Sequence, residues 1–352
     1  MSRPAGIAGP TERTTDEPRG TREPHPAPPR RADHAATNTA LSSTTRPPTP
    51  RTALLTVPQA LTDSHRTGLG DTRWLAELPT LAATMLHRWD LRPDGPARHG
   101  MIALALPVTG PRGPAVLKLQ PITDDTTAEP LGLHLWNGDG TVRLLDHDPG
   151  TGSMLLERLH PRSLADLDDD THALHLLGAL LARLTRTPAP PGLRHLADIG
   201  AAMLTRTPHA TGHLTHPDER ALLHRCAAAL TDVLPEPGDR LLHWDLHYDN
   251  VLAADREPWL AIDPQPLAGH PAFELLPALD NRWDDITSTG DIPRAVRRRF
   301  HALTEHLDLE RDRATAWTLA RVLQNCLWDI DDGATALAPT QRAIAEALIS
   351  GR

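Results

Sequence analysis

Lysine is nearly absent. Of the 36 basic residues in a chain of 352, only Lys118 is lysine and the other 35 are arginine. Beside abundant Ala, Leu and Pro, this looks like genomic composition rather than selection for arginine, and it singles out the one lysine that remains. Aromatics are scarce at 3%, so Leu and Ala must fill most of a core for which a hydrophobic fraction of 39% is sufficient. Cys226 and Cys326 are the only cysteines. They stand isolated in Leu/Ala-rich helical contexts, form neither a disulfide framework nor a metal-ligand pattern, and read as small core residues of a reduced, cytoplasmic protein. No run approaches the ~18 apolar residues of a membrane span, and Arg30-Arg31 lacks the apolar core that a twin-arginine signal needs. An excess of positive charge is missing too: the formal net charge is −9, and residues 1–52 carry eight Arg against five acidic residues, so the remainder carries −12. That balance argues against a nucleic-acid surface and suits a small cationic substrate.

Large apolar residues are missing from residues 1–52, which hold ten of the 35 prolines together with many Thr and Arg. Such a segment cannot bury a core and reads as a disordered extension or a mis-assigned translational start. Order is expected to begin near Leu54-Leu55-Thr56-Val57-Pro58.

What is present is concentrated in one segment. His243-Trp244-Asp245-Leu246-His247-Tyr248-Asp249-Asn250 fits H-x-D-L-x-x-x-N, the catalytic-loop pattern of kinases, and Asp263 follows thirteen residues after Asn250. Phosphoryl transfer needs a carboxylate to orient and deprotonate the attacking hydroxyl, while an amide oxygen and a second carboxylate hold Mg²⁺ against the polyphosphate. Asp245 fits the first role, Asn250 and Asp263 the second. Val251–Ala254 and Trp259–Ile262 read as short strands about a turn at Asp255–Pro258, a hairpin that would fold Asp263 back beside Asn250. The alternatives for His243, Asp245 and His247 are a metallohydrolase cluster or a plain polar loop, although no second cluster of metal-binding residues stands at matched spacing.

Lys118 ends the β-rich run Pro114-Ala115-Val116-Leu117-Lys118-Leu119, comparable to the V-A-I-K strand whose lysine contacts nucleotide phosphates. A compact ammonium is required there and a planar guanidinium is a poor substitute. Glu129 opens the helical stretch Glu129–Trp136, with Pro130 suited to its first position and Gly138 and Gly140 suited to ending it; it would pair with Lys118. A lone Glu in a first turn is otherwise simply favoured by the helix dipole. Strand-like runs at Met101–Val108, Thr141–Leu145 and Ser153–Leu159 complete a small sheet, the last leading through Leu156 and Glu157 into a hinge that would hold adenine. A full G-x-G-x-x-G is missing, and Gly95 and Gly100 are the weak candidates for a phosphate-covering loop. Trp74–Leu78 and Leu81–Leu86 read as helix interrupted at Pro79. Beyond about residue 160 the spacing is helical, as in Leu174, Leu177, Leu180, Leu181 and Leu184, and in Val322, Leu323, Cys326, Leu327 and Ile330.

These residues together resemble the aminoglycoside and hydroxyurea phosphotransferase family, most closely its streptomycin 6-phosphotransferase branch. The likeness runs from about Leu54 to the C-terminus and includes Val57-Pro58, Trp74-Leu75, Leu78-Pro79, Trp89, Leu156–Leu159, Glu257–Pro264 and Asn281-Arg282-Trp283-Asp284. The resemblance implies an α+β, protein-kinase-like bilobal fold, with a β-rich N-lobe over residues 53–159 and a helical C-lobe over 160–352. It also implies ATP- and Mg²⁺-dependent transfer of the γ-phosphate to the hydroxyl of a small molecule such as streptomycin. Two positions depart from the family: Trp244 stands where Gly is usual, next to Asp245 where an indole could reshape the acceptor pocket, and Gln265 stands where Lys is common. Asp329, Asp331 and Asp332 cluster at the end of the Val322–Ile330 helix. With Trp283, Asp284 and Asp285 they are candidates for binding a cationic acceptor, the other reading being a solvated helix end with Asp332 capping the next helix. The rivals are a kinase of another small alcohol and a catalytically dead kinase-like binding protein in which Trp244 blocks the acceptor site.

Overall fold

The structure is a computed structural model and describes residues 56–66 and 72–351. The expected extension 1–52 and the expected start at Leu54-Leu55 lie outside those residues. Helix α1 (Gln59–Ser64) and helix α2 (Thr72–Arg88) come first. Leu78, Ala82 and Met85 form the buried stripe of α2 at spacings of four and three. Pro79 lies inside α2 without ending it. The expected interruption does not occur, because Pro79 removes one backbone donor while the stripe on either side stays packed.

Strands β1 (Arg92–Pro93), β2 (Arg98–His99), β3 (Leu104–Gly110), β4 (Gly113–Leu119), β5 (Leu144–Asp148) and β6 (Ser153–Glu157) form one antiparallel sheet in the order β1-β3-β4-β6-β5, with β2 also on β3. Side chains alternate across a strand, so Ala115, Leu117 and Leu119 of β4 enter the core while Val116 and Lys118 face a cleft together with Ala105 and Pro107 of β3 and Leu156 of β6. The period of two thus delivers the lone lysine to the cleft. Helix α3 (Glu129–Trp136) lies between β4 and β5, ends at Asn137 in the left-handed region, and is tied to the helical part by the Trp136 indole N–H, which donates to Leu184 O at 3.1 Å.

Two expected strands are shorter than their apolar runs. The Met101 run begins pairing only at Leu104, because Gly100–Ala103 is the turn between β2 and β3, closed by the Gly100 N–H on Ala103 O at 3.0 Å. The Thr141 run joins the sheet only at Leu144. Before that, the Val142 N–H donates to Ala261 O at 2.8 Å and the Ala261 N–H to Gly140 O at 2.9 Å, so its backbone pairs with the catalytic hairpin instead.

The remainder is mainly helical: α4 (Asp170–Leu184), α5 (Leu196–Thr211), α6 (Pro217–Val233), α7 (Leu275–Leu279), α8 (Trp283–Ser288), α9 (Ile292–His306), α10 (Arg311–Asp331) and α11 (Pro339–Ile349). Helix α10 is buried on every side from Ala314 to Trp328, the mark of a helix at the centre of a core. It packs on α5, α6, α11 and the 3-10 turn Pro271–Glu274. Between α6 and α7 lie β7 (Arg240–Leu242), β8 (Val251–Ala253), β9 (Trp259–Ala261) and β10 (Leu267–Gly269), paired β7 with β10 and β8 with β9. Among the described residues no helix is long and apolar enough to cross a membrane.

Candidate active site

The hairpin β8–β9 pairs Val251 with Ala261 and Ala253 with Trp259. The Ile262 N–H continues the ladder onto Asn250 O at 2.9 Å, which brings Asp263 alongside Asn250. His243 fastens the loop from the other side, its Nε2 donating to Ile262 O at 3.0 Å. Burial pushes the His243 pKa down to about 3, so the ring is a neutral peg. Among the described residues no group of three or more His, Cys, Asp or Glu is placed to hold a metal ion, which leaves the metallohydrolase alternative without a ligand set.

A cleft of about 670 Å³ opens between the sheet and this loop, lined among others by Lys118, Leu156, Asn250 and Asp263. Lys118 Nζ donates to Glu129 Oε1 at 2.6 Å, Glu129 Oε2 at 2.7 Å and Asp263 Oδ1 at 2.9 Å, and Gln120 donates to Glu129 Oε2 at 2.8 Å. Burial opposes the Lys118 charge, but Asp263 and Glu129 outweigh it and raise its pKa. Burial likewise acts to raise the Asp263 carboxyl, and the Lys118 ammonium reverses this, holding it below the ordinary range. Gly95 and Gly100 both line the cleft, at the mouth formed by β1 and β2. The Glu157 carboxylate is taken by Arg256 at 3.1 and 3.0 Å and by the Arg143 N–H at 3.1 Å, so this side chain braces the hinge.

Asn250 and Asp263 fit a divalent cation. The Asn250 Nδ2 donates to Asp245 O at 2.9 Å, which leaves the amide oxygen as a ligand, and the Asp263 side chain is 42% exposed into the cleft.

Asp245 is fully buried, and neither carboxylate oxygen has a hydrogen-bond partner among the described residues. Burial raises its pKa, opposed by His247, whose Nε2 lies 4.0 Å away, and by Arg321. Around it stand residues that carry no motif in the sequence. Glu274 and Asp280 are both pushed by burial up to about 7, and Arg321 is brought down by burial to about 10. Gln265 Oε1 and both amide atoms of Asn325 are buried without partners among the described residues. Asn325 lies four residues after Arg321 and three before Trp328 on α10, and both of those contact Trp244, so the three share one helix face.

The outer acidic candidates lie elsewhere. Asp284 is exposed on α8, and Asp285 pairs with Arg282 at 2.6 Å. Asp329 and Asp332 end α10, where Asp332 takes the C-cap and Asp331 pairs with Arg206; Ala338, not Asp332, precedes α11. None of these, nor Trp283, lines the cleft. Trp244 is 3% exposed and packed against Phe273, Trp328 and the Arg321 guanidinium. Its indole is a core side chain.

The Glu274 shift has a measurable consequence. A carboxyl with a pKa of about 7 when folded, against 4.5 ordinarily, binds more protons folded than unfolded between those values. Stability is therefore lost as pH rises through that window, by at most about 3 kcal/mol. Glu274→Gln removes this cost and can still accept the Trp244 N–H, so its Tm should exceed that of the wild type at pH 8 and approach it near pH 5. Thermal melts at the two pH values check the difference, and a gap independent of pH would count against the assignment.

The fold is that of a known class. A thermostable mutant of aminoglycoside phosphotransferase APH(4)-Ia, solved as a ternary complex with ADP and hygromycin B, superposes with a TM-score of 0.54 at 13% identity, covering 77% of this chain and 99% of that one. A fructosamine-3-kinase-like protein from Thermobifida fusca gives 0.50 at 19% identity, covering 77% and 99%. The molecule thus has an α+β, kinase-like fold. Residues 88–333 match the aminoglycoside/hydroxyurea antibiotic resistance kinase family, and the chain belongs to that family. It is 54% identical to a streptomycin 6-kinase of Streptomyces griseus over 83% of this chain and 96% of the relative, and 50% identical to a hydroxyurea phosphotransferase of Kitasatospora aureofaciens over 80% and 82%.

Proposed function

We propose that this protein is an ATP- and Mg²⁺-dependent kinase that phosphorylates a hydroxyl of streptomycin or a closely related cationic aminocyclitol. The observation that carries it is the convergence of Lys118, Glu129, Asn250 and Asp263 on one cleft, with the unpartnered Asp245 carboxylate behind it. Lys118, held by Glu129, binds the nucleotide phosphates. Asn250 and Asp263 hold Mg²⁺, which offsets the charge of the polyphosphate. Leu156 lies under the base, and backbone groups of the hinge hold it. Asp245 orients the acceptor hydroxyl and takes its proton as the oxygen bonds to the γ-phosphorus and the bond to the β,γ-bridging oxygen breaks, releasing ADP. The orphaned polar atoms of Gln265 and Asn325, with the carboxyl of Asp280, are groups a polyhydroxylated cation would satisfy, since buried polar atoms without partners are rare unless something binds there. They are proposed as acceptor contacts beside Trp244, Trp283, Asp284, Asp285, Asp329 and Asp332.

The identity to a hydroxyurea phosphotransferase supports a second acceptor, hydroxyurea itself. ADP release measured with each compound separates the two. Streptomycin is expected to give a kcat/KM at least about tenfold higher, because more of its surface can be used in binding. Phosphorus NMR of the streptomycin product should show a phosphate ester on a carbon-bound oxygen. Equal or better turnover of hydroxyurea would transfer the assignment to it, and ATP binding with no turnover of any acceptor would favour a binding protein.

A further inference from the structure

Among the described residues no hydrogen bond holds the Asp245 carboxylate oxygens, so its aim is set by the backbone that carries it. That backbone is constrained at every peptide. Trp244, just before it, has φ of 75°, a left-handed conformation that bulky residues rarely adopt. The Trp244 N–H donates to Glu274 Oε1 at 2.7 Å, and the Trp244 C=O accepts from Arg321 Nη2 at 3.2 Å. The Asp245 C=O accepts from Asn250 Nδ2 at 2.9 Å. The Arg321 guanidinium also lies over the Trp244 ring, 4.4 Å from its centroid. Glu274 and Arg321 are 1% and 0% exposed, on a 3-10 turn and in mid-α10 respectively. Two buried ionisable groups are a costly way to fill a core, since apolar residues of the same volume pack at least as well; what they supply is one acceptor and one forked donor at fixed points.

We propose that Glu274 and Arg321 are positioning residues that clamp both peptide groups of Trp244 in its left-handed turn and thereby aim the Asp245 carboxylate at the acceptor hydroxyl. This rests on the reading of Asp245 as the base. The clamp makes the loop conformation available to a tryptophan, where glycine would adopt it freely.

The test compares Glu274→Gln, Glu274→Ala, Arg321→Met and Arg321→Lys with wild type and Asp245→Asn in the full chain. It measures kcat, KM for ATP and streptomycin, and ATP affinity by direct binding. Glu274→Gln keeps an acceptor for the Trp244 N–H and should hold kcat within about twofold. Glu274→Ala and Arg321→Met should each lower kcat by about tenfold or more with both KM values within about twofold, the pattern of a misaimed group rather than lost binding. The double variant should lose less than the product of the two singles, because they act on one peptide turn. A Glu274→Ala enzyme with wild-type ATP affinity and wild-type kcat would overturn the clamp, as would Glu274→Gln falling as far as Glu274→Ala. Should the Ala and Met variants fail to fold, Arg321→Lys decides: it keeps the charge but loses the fork, and unchanged kcat would overturn the proposal. An active Asp245→Asn would remove the base assignment instead, visible whatever the clamp variants do.

Discussion

Asp245→Asn is expected to abolish nearly all turnover, lowering kcat by about 10²–10⁴-fold, the usual contribution of a positioned general base, with ATP affinity close to wild type. The substitution is nearly isosteric at a fully buried position, so the surrounding core need not repack. What it removes is a carboxylate whose oxygens have no partner among the described residues and whose pKa burial raises. Nucleotide binding should survive because Lys118, Asn250 and Asp263, not Asp245, line the cleft. Steady-state ADP release beside a direct binding measurement separates the two effects. If the variant kept its rate, the proton would have to leave by another group, and His247, 4.0 Å from Asp245 Oδ2, would be the next to test.

Lys118→Arg is expected to lower kcat/KM for ATP on the order of tenfold or more. The ammonium sits among three carboxylate oxygens at 2.6, 2.7 and 2.9 Å, with its side chain only 7% exposed. A planar fork cannot occupy that space without displacing Glu129 or Asp263. As the only lysine in the chain, Lys118 also permits a clean labelling test. An amine-reactive nucleotide analogue should modify Lys118 and the α-amino group, and excess ATP with Mg²⁺ should protect only Lys118. Labelling indifferent to saturating nucleotide, with a fully active Lys118→Arg enzyme, would remove the phosphate role from this residue.

Much of the cleft is legible in the chain because its parts are local. A strand alternates, so Lys118 and Val116 share a face once β4 is recognised. A five-residue connection between two apolar triplets makes a hairpin, and the hairpin alone sets Asp263 beside Asn250. The acceptor end is a different matter. Asp284, Asp285, Asp329 and Asp332 attract attention by their spacing in sequence, yet none of them lines the cleft. Trp244 stands next to the base in sequence, but its left-handed backbone sends the indole into the core against Phe273 and Trp328.

By itself the sequence determined the class of chemistry, the lone lysine of the cleft and the loop with its two metal-binding candidates, since short-range hydrogen bonding and side-chain alternation place those residues. Only the tertiary structure decided what surrounds the base. Glu274 and Arg321 reach Trp244 from 30 and 77 residues away, and an arginine among Leu and Ala in a helix reads from sequence as a solvated position. It is buried because α10 is enclosed on all sides, chiefly by α5, α6 and the Pro271–Glu274 turn, and the placing of Glu274 and Arg321 about Trp244 is fixed by that packing, for which no local pattern exists.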